Sequence, residues 1–234
     1  MRDKKKRRGF IYFLAELVIL IIGISASFLL NELRIGQKER VKEQEMLVNF
    51  QKNLLVDSLR LSSSISVLEK QLEFAEKVLI SPKGIYSDSL FIHTVSLLNY
   101  APFSSNDLTY QQMESTGTSS VIQNEVLMNL LVGLYESGFE TVVLWSNIDG
   151  DHVKNRVIPF VEDNFPFVKG LNYPSADAST KRQFVKAVQS EKFLHLIQFG
   201  QSYKASTLAV FREALDDVRE VMELLEREIE IENK

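Results

Sequence analysis

The feature that most constrains this chain is a run of 21 residues, Phe10 to Leu30, whose only charged side chain is Glu16. At about 1.5 Å per residue, such a helix is long enough to cross a hydrocarbon core about 30 Å thick. Phe10, Tyr12 and Phe13 stand at its start, where aromatic rings favour the interface. Six basic residues (Arg2, Lys4, Lys5, Lys6, Arg7, Arg8) crowd into positions 1–8 against one acid, Asp3. The far flank carries Arg34, Lys38, Arg40 and Lys42, diluted by Glu32, Glu39, Glu43 and Glu45. The positive-inside rule therefore predicts a cytoplasmic N-terminus. The expected organisation is a basic cytoplasmic stretch (1–9), a transmembrane helix (10–30) and an extracytoplasmic domain (31–234). In a bacterial cell that is an inner-membrane protein with its bulk in the periplasm. The rival reading is a cleaved signal peptide with small residues at Ser25-Ala26-Ser27. Against it, Phe28, Leu29 and Leu30 extend the apolar run past that site, and Glu16 would interrupt an h-region.

Glu16 is the most informative residue of the span. A carboxyl group at the bilayer centre costs about 2.5–3.5 kcal/mol on insertion scales, less toward an end. Either it snorkels or is protonated, or it pairs with a group on another transmembrane helix. Glu16, Leu20, Gly23 and Ser27 fall on one helical face, and Gly23 with Ser27 forms a small-xxx-small pair that lets helices approach closely. These four are the candidate interaction residues. The expected partners are the lipid bilayer and a membrane protein or second copy engaged through this helix.

Subtracting positions 1–8 from the 27 basic and 31 acidic residues leaves 21 and 30, a net charge of −9 for the remainder. An acidic body repels phosphate backbones, so no nucleic-acid partner is expected. The absence of cysteine excludes disulfides, thiolate zinc sites, iron–sulfur clusters and cysteine nucleophiles.

The rest reads as helix. From Glu39 to Ile80 there is no proline or glycine, and apolar residues recur in steps of three and four from Leu47 to Leu79, with a slip around Asp57–Ser58. This helix is expected to continue out of the membrane span, with a bend allowed at Gly36, and to end at Ser81-Pro82-Lys83-Gly84. Shorter helices are predicted over 88–98, capped by Ser87 or Asp88, and over 106–115, stopped by Gly117. Asn124 caps a second long helix that Pro159 ends or kinks near Ile158. Ser179 caps a short helix over 181–189. Ser190 or Glu191 opens the last long helix, whose seam (Leu208, Phe211, Leu215, Val218, Met222, Leu225, Ile229) is an unbroken 3-4 series. The predicted fold is all-α: a transmembrane helix followed by an elongated antiparallel bundle running up, down in two pieces, up and down. Each long helix measures about 55–60 Å. The tidy last seam would also suit a coiled-coil dimer, but the other long helices need it as a partner.

Chemistry is sparse. Asp149-Gly150-Asp151-His152 is the acidic–histidine cluster, and Asp149 and His152 at i, i+3 have the spacing for a shared metal. The simpler expectation is a solvated polar break in a long helix. Glu191 and His195 at i, i+4 are a weaker echo. Trp145, Tyr135 and Phe139 would line a ligand groove or, by default, pack in the core. Seven acids between Asp216 and Glu230 read as a solvated face. No phosphate loop, nucleophile elbow or metalloprotease motif is present. The expectation is a non-enzyme without cofactor or metal.

Two stretches carry a resemblance. LAELVILIIGISASFLLNELR (Leu14–Arg34) resembles the anchor of a family of small bacterial single-pass membrane proteins catalogued as a domain of unknown function: glutamate early in the span (Glu16), glycine in the middle (Gly23), a polar exit (Asn31-Glu32). LTYQQMESTGTSSVIQNEVLMNLLVGLYE (Leu108–Glu136) is similar to the same family's internal pattern, here Thr109-Tyr110, Ser115-Thr116-Gly117, Ile122-Gln123-Asn124 and Tyr135. Arg34 stands where that family has tryptophan. The resemblance covers about 50 residues and implies the topology but no reaction. The functional expectation is a membrane-anchored helical interaction or accessory subunit of a membrane complex. The alternative is an extracytoplasmic ligand-sensing bundle, in which only about nine residues remain in the cytoplasm for output.

Overall fold

The structure, a computed structural model, describes the backbone of residues 2–168, 170 and 172–232, and the side chains of residues 16–168, 170 and 172–230. The N-terminal basic cluster and the aromatics Phe10, Tyr12 and Phe13 lie outside the described side chains. Within these bounds the fold is all-α.

Helix α1 (Arg2–Leu79) is a single helix of 78 residues, unbroken at Gly36. At about 1.5 Å per residue it measures roughly 117 Å. From Glu16 onward its first part is long and apolar enough to cross a membrane, and none of that apolar window is buried against the rest of the chain. The first buried side chains are Glu43 and Leu47. Residues 31–42 therefore form a largely exposed stem of about 18 Å between the apolar segment and the bundle.

The remaining helices begin where local polar residues can satisfy free N–H groups. For α2 (Asp88–Ser96), Ser87 Oγ accepts the Leu90 N–H at 3.0 Å. Helix α3 (Leu108–Thr116) stops at Gly117, whose φ of 63° is the left-handed conformation that glycine adopts without strain. For α4 (Glu125–Asn164), Asn124 Oδ1 accepts the Leu127 N–H at 3.1 Å. For α5 (Ala178–Val188) the cap is Asp177 rather than the expected Ser179; its Oδ1 accepts the Ser179 and Thr180 N–H groups at 2.8 and 2.9 Å. Ser190 Oγ accepts the Phe193 N–H at the start of α6 (Glu191–Glu232).

Helix α4 differs from expectation: it runs past Pro159 to Asn164. Two π turns, Leu134–Gly138 and Val153–Val157, interrupt its α geometry. At the second, the Ile158 N–H donates to the Val153 carbonyl five residues back. The turn resets the helix so that Pro159 falls in the first turn of a new α segment, where its missing N–H and fixed φ are tolerated. By length and composition α4 also passes as a membrane span, but a third of that window is buried, as in a core helix.

The arms run up, down, up, down as expected. Asn53 on α1 meets Thr109 on α3, and Gln71 reaches the Ser96 carbonyl at the end of α2, so α2 and α3 descend along α1. Asn124 Nδ2 donates to Glu228 Oε1 at 2.6 Å, and the Gln123 N–H donates to Glu43 Oε1 at 2.6 Å. The end of α6 thus returns to the stem side. Its predicted seam packs inside the bundle: Leu208, Phe211, Leu215, Val218 and Leu225 are buried, with Met222 and Ile229 against them. The core has two parts. A stem-side cluster holds Phe50, Leu61, Phe139 and Phe211, and a distal cluster holds Val78, Phe160, Phe184 and Phe193.

Candidate functional site

The descending arm breaks between α2 and α3, and Pro102 bars it from closing into one helix. Its linker, 97–107, lies against three long helices, so its backbone groups need partners from side chains. Asp57 on α1 is fully buried and accepts the Asn106 N–H at 2.9 and 3.0 Å through its two oxygens. This explains the slip in the apolar pattern at Asp57. Gln71 donates to the Ser96 and Asn99 carbonyls, Ser146 on α4 to the Ala101 carbonyl at 2.7 Å, and Lys204 on α6 to the Asn99 carbonyl at 3.0 Å.

Lys204 also corrects the reading of Asp149 and His152. The Asp149 side chain is fully buried, and its Oδ2 lies 2.8 Å from Lys204 Nζ, itself 3% exposed. Burial pushes the Asp149 carboxyl up and the Lys204 ammonium down, and each partner opposes the shift in the other. His152 points elsewhere: its Nε2 donates to the Leu196 carbonyl at 2.9 Å, and burial holds the ring below its usual value of 6.5. The cluster is neither a solvated break nor a convergent ligand set. Among the described residues no group of three or more potential ligands is placed to hold a metal. Glu191 and His195 are exposed and form no such group. A signal for Lys204 was present, since stepping back four from Leu208 along the seam lands on it.

The four candidate interaction residues of the apolar segment share one face of α1. Glu16, Leu20, Gly23 and Ser27 are all exposed, and a Cβ built on Gly23 would meet nothing within 4 Å. No group of the described chain covers this face.

A groove opens between α3 and α4, with a volume of about 570 Å³. Tyr135 and Phe139 line it, whereas Trp145 does not. The Tyr110 and Tyr135 rings stack at 4.8 Å and 11°, forming a buried floor, and Tyr110 Oη donates to Glu136 Oε1 at 2.9 Å. Tyr110 and Tyr135 were not joined by sequence reasoning, because they lie on different helices. The acidic face of α6 is exposed and carries the local pairs Arg219 with Asp216 and Arg227 with Glu223, except at half-buried Glu228, which accepts from Asn124. The chain matches no family model, and no curated protein or solved structure is significantly similar to it.

Proposed function

We propose that this protein is a membrane-anchored, non-enzymatic helical subunit whose span docks against another transmembrane helix. In this reading the N-terminus is cytoplasmic and the bundle stands in the periplasm. One observation carries it: α1 is a single helix, and its apolar window, which holds Glu16, Leu20, Gly23 and Ser27, is not buried against any other part of the described chain. No described residue covers that side of the helix, and the small residues Gly23 and Ser27 suit close approach. A carboxyl group at Glu16 gains a partner only if another helix supplies one. An unbroken helix also transmits tilt or rotation of the span to the bundle without a flexible joint.

The test is crosslinking in native membranes followed by mild detergent extraction. Wild type is expected to carry a defined membrane-protein adduct, and Glu16→Leu and Gly23→Leu to reduce its yield several-fold. Recovery of the uncrosslinked monomer alone from wild type would refute the proposal.

A further inference from the structure

Helix α1 carries an uncovered stripe within the bundle. Lys52, Val56, Leu59, Ser63, Ser66 and Lys70 recur in steps of four and three, so they share one face, and all six are exposed. Across the helix lie buried Leu54, Leu61 and Leu68. The stripe bears two ammonium groups and no carboxylate. Neither lysine has an ion-pair partner among the described residues. Its middle is apolar: Leu59 is 64% exposed, and Val56 and Leu59 form one wall of a groove against Pro102 and Phe103 of the linker. The chain's own α6 presents the complement. Glu213, Asp216, Glu220 and Glu223 recur in steps of three and four and are all exposed. Glu213 and Glu220 have no ion-pair partner among the described residues. Their charge is uncompensated: the Asp217 carboxyl beside them is pushed up by burial first, then by Glu213, Glu220 and Asp216. The two stripes stand at one height. The Arg212–Glu69 ion pair, at 2.6 Å, holds the upper end of the acidic stretch level with the upper end of the basic one. The lower end of α6 returns to the stem side, where Glu228 meets Asn124. Each stripe is exposed in the folded chain, so the two do not meet within one copy.

We propose that this face of α1 docks a second copy of the chain, whose α6 lies antiparallel along it. Lys52 and Lys70 reach carboxylates of the neighbouring α6, Ser63 and Ser66 donate to them, and Val56 and Leu59 rest on their methylenes. The proposal rests on the anchor described above, because two copies held in one membrane in one orientation bring the stripes to the same height. Exposed ion pairs contribute little between free molecules. Tethering both copies in one plane raises their effective concentration, which favours a co-anchored copy over a soluble protein. The contact is head-to-tail. Each docked pair keeps one free α6 stripe and one free α1 stripe, so further copies extend it into a ring or a row.

The chain has no cysteine, so introduced cysteines report the contact directly. Two differently tagged full-length copies are co-expressed in native membranes, one with Ser63→Cys and the other with Glu220→Cys, and treated with a short bismaleimide. A mixed adduct is expected, several-fold above that from either variant with itself or from Ser63→Cys with Glu191→Cys at the distal end. Lys52→Glu with Lys70→Glu should reduce the adduct several-fold with an unchanged unfolding midpoint. Glu213→Lys with Glu223→Lys in the other copy should then restore it. Retention of the chain in carbonate-washed membranes checks the anchor by itself. A retained chain that gives no mixed adduct, an adduct indifferent to the lysine substitutions, or an equal adduct from Ser63→Cys alone would overturn the docking and leave the anchor standing. A chain washed free of the membrane would overturn the anchor and this proposal with it.

Discussion

Lys204 Nζ lies 2.8 Å from Asp149 Oδ2 with both side chains out of water, and the same ammonium donates to the Asn99 carbonyl of the linker. One residue on α6 therefore ties α4 to the broken arm. Asp149 Oδ1 has no partner, so the pair is incompletely satisfied. Removing one member of a buried pair leaves the other charge uncompensated, at a cost of about 3–5 kcal/mol, whereas replacing both by apolar groups is far milder. Lys204→Met is expected to destabilise the bundle by about 3–5 kcal/mol. Asp149→Leu combined with Lys204→Met should recover more than half of that loss in urea unfolding. Equal losses for the single and double variants would show that the pair is not coupled.

Asp57 tests how the linker is held. Its two oxygens take one N–H, that of Asn106, from a fully buried position, and burial raises its carboxyl above 3.8 despite that bond. Hydrogen bonds to charged groups contribute about 1.5–3 kcal/mol, so Asp57→Ala should destabilise by about that much. Asp57→Asn keeps one acceptor and removes the buried charge, and should lose less than half as much. The Asn106 amide should exchange with solvent faster in the alanine variant, while amides in α6 keep their protection.

Two glycines of α4 should respond with opposite sign to the same substitution. A Cβ on Gly133 meets nothing within 4 Å, and its φ of −57° is helical. Gly133→Ala is expected to stabilise by about 0.5–1 kcal/mol. A Cβ on Gly150 would lie 2.9 Å from the Tyr100 ring, which must then move. Gly150→Ala should destabilise by about 1–3 kcal/mol, the usual range for overpacking. Thermal unfolding of the two variants distinguishes them directly.

His152 makes the bundle sensitive to acid. Its folded value lies below 6.5, chiefly because burial disfavours the imidazolium. The unfolded chain therefore takes up the proton first. The contribution of His152 is complete above about 6.5 and is lost as pH falls through the lower folded value. Asp149 and Asp57, raised above 3.8, act in the opposite direction, so the comparison must be between variants. Wild type should lose more stability between pH 7.5 and 5.5 than His152→Gln, whose amide can still donate to Leu196. Parallel stability curves for the two proteins would contradict this assignment.

Most of the helical plan was legible because its causes are local. The long apolar run ahead of the stem, the polar caps at Ser87 and Asn124, the left-handed stop at Gly117 and the seam from Leu208 to Ile229 each act within a few residues of sequence. The order of long and short helices then left few ways to bury the apolar stripes. Pro159 misled because its effect depends on whether the preceding turn can widen, and Asp177 took the cap expected of Ser179 within two residues.

What tertiary structure alone decided is which polar groups meet. Asp149 and Lys204 are 55 positions apart. Nothing near Asp149 in the chain separates a buried carboxylate from the solvated break expected there. Tyr110 and Tyr135 likewise become one floor only when α3 packs on α4. Helical period and capping are short-range and readable along a chain. The pairing of buried charge is set by the low dielectric that forms when the helices come together, and it exists only in the assembled bundle.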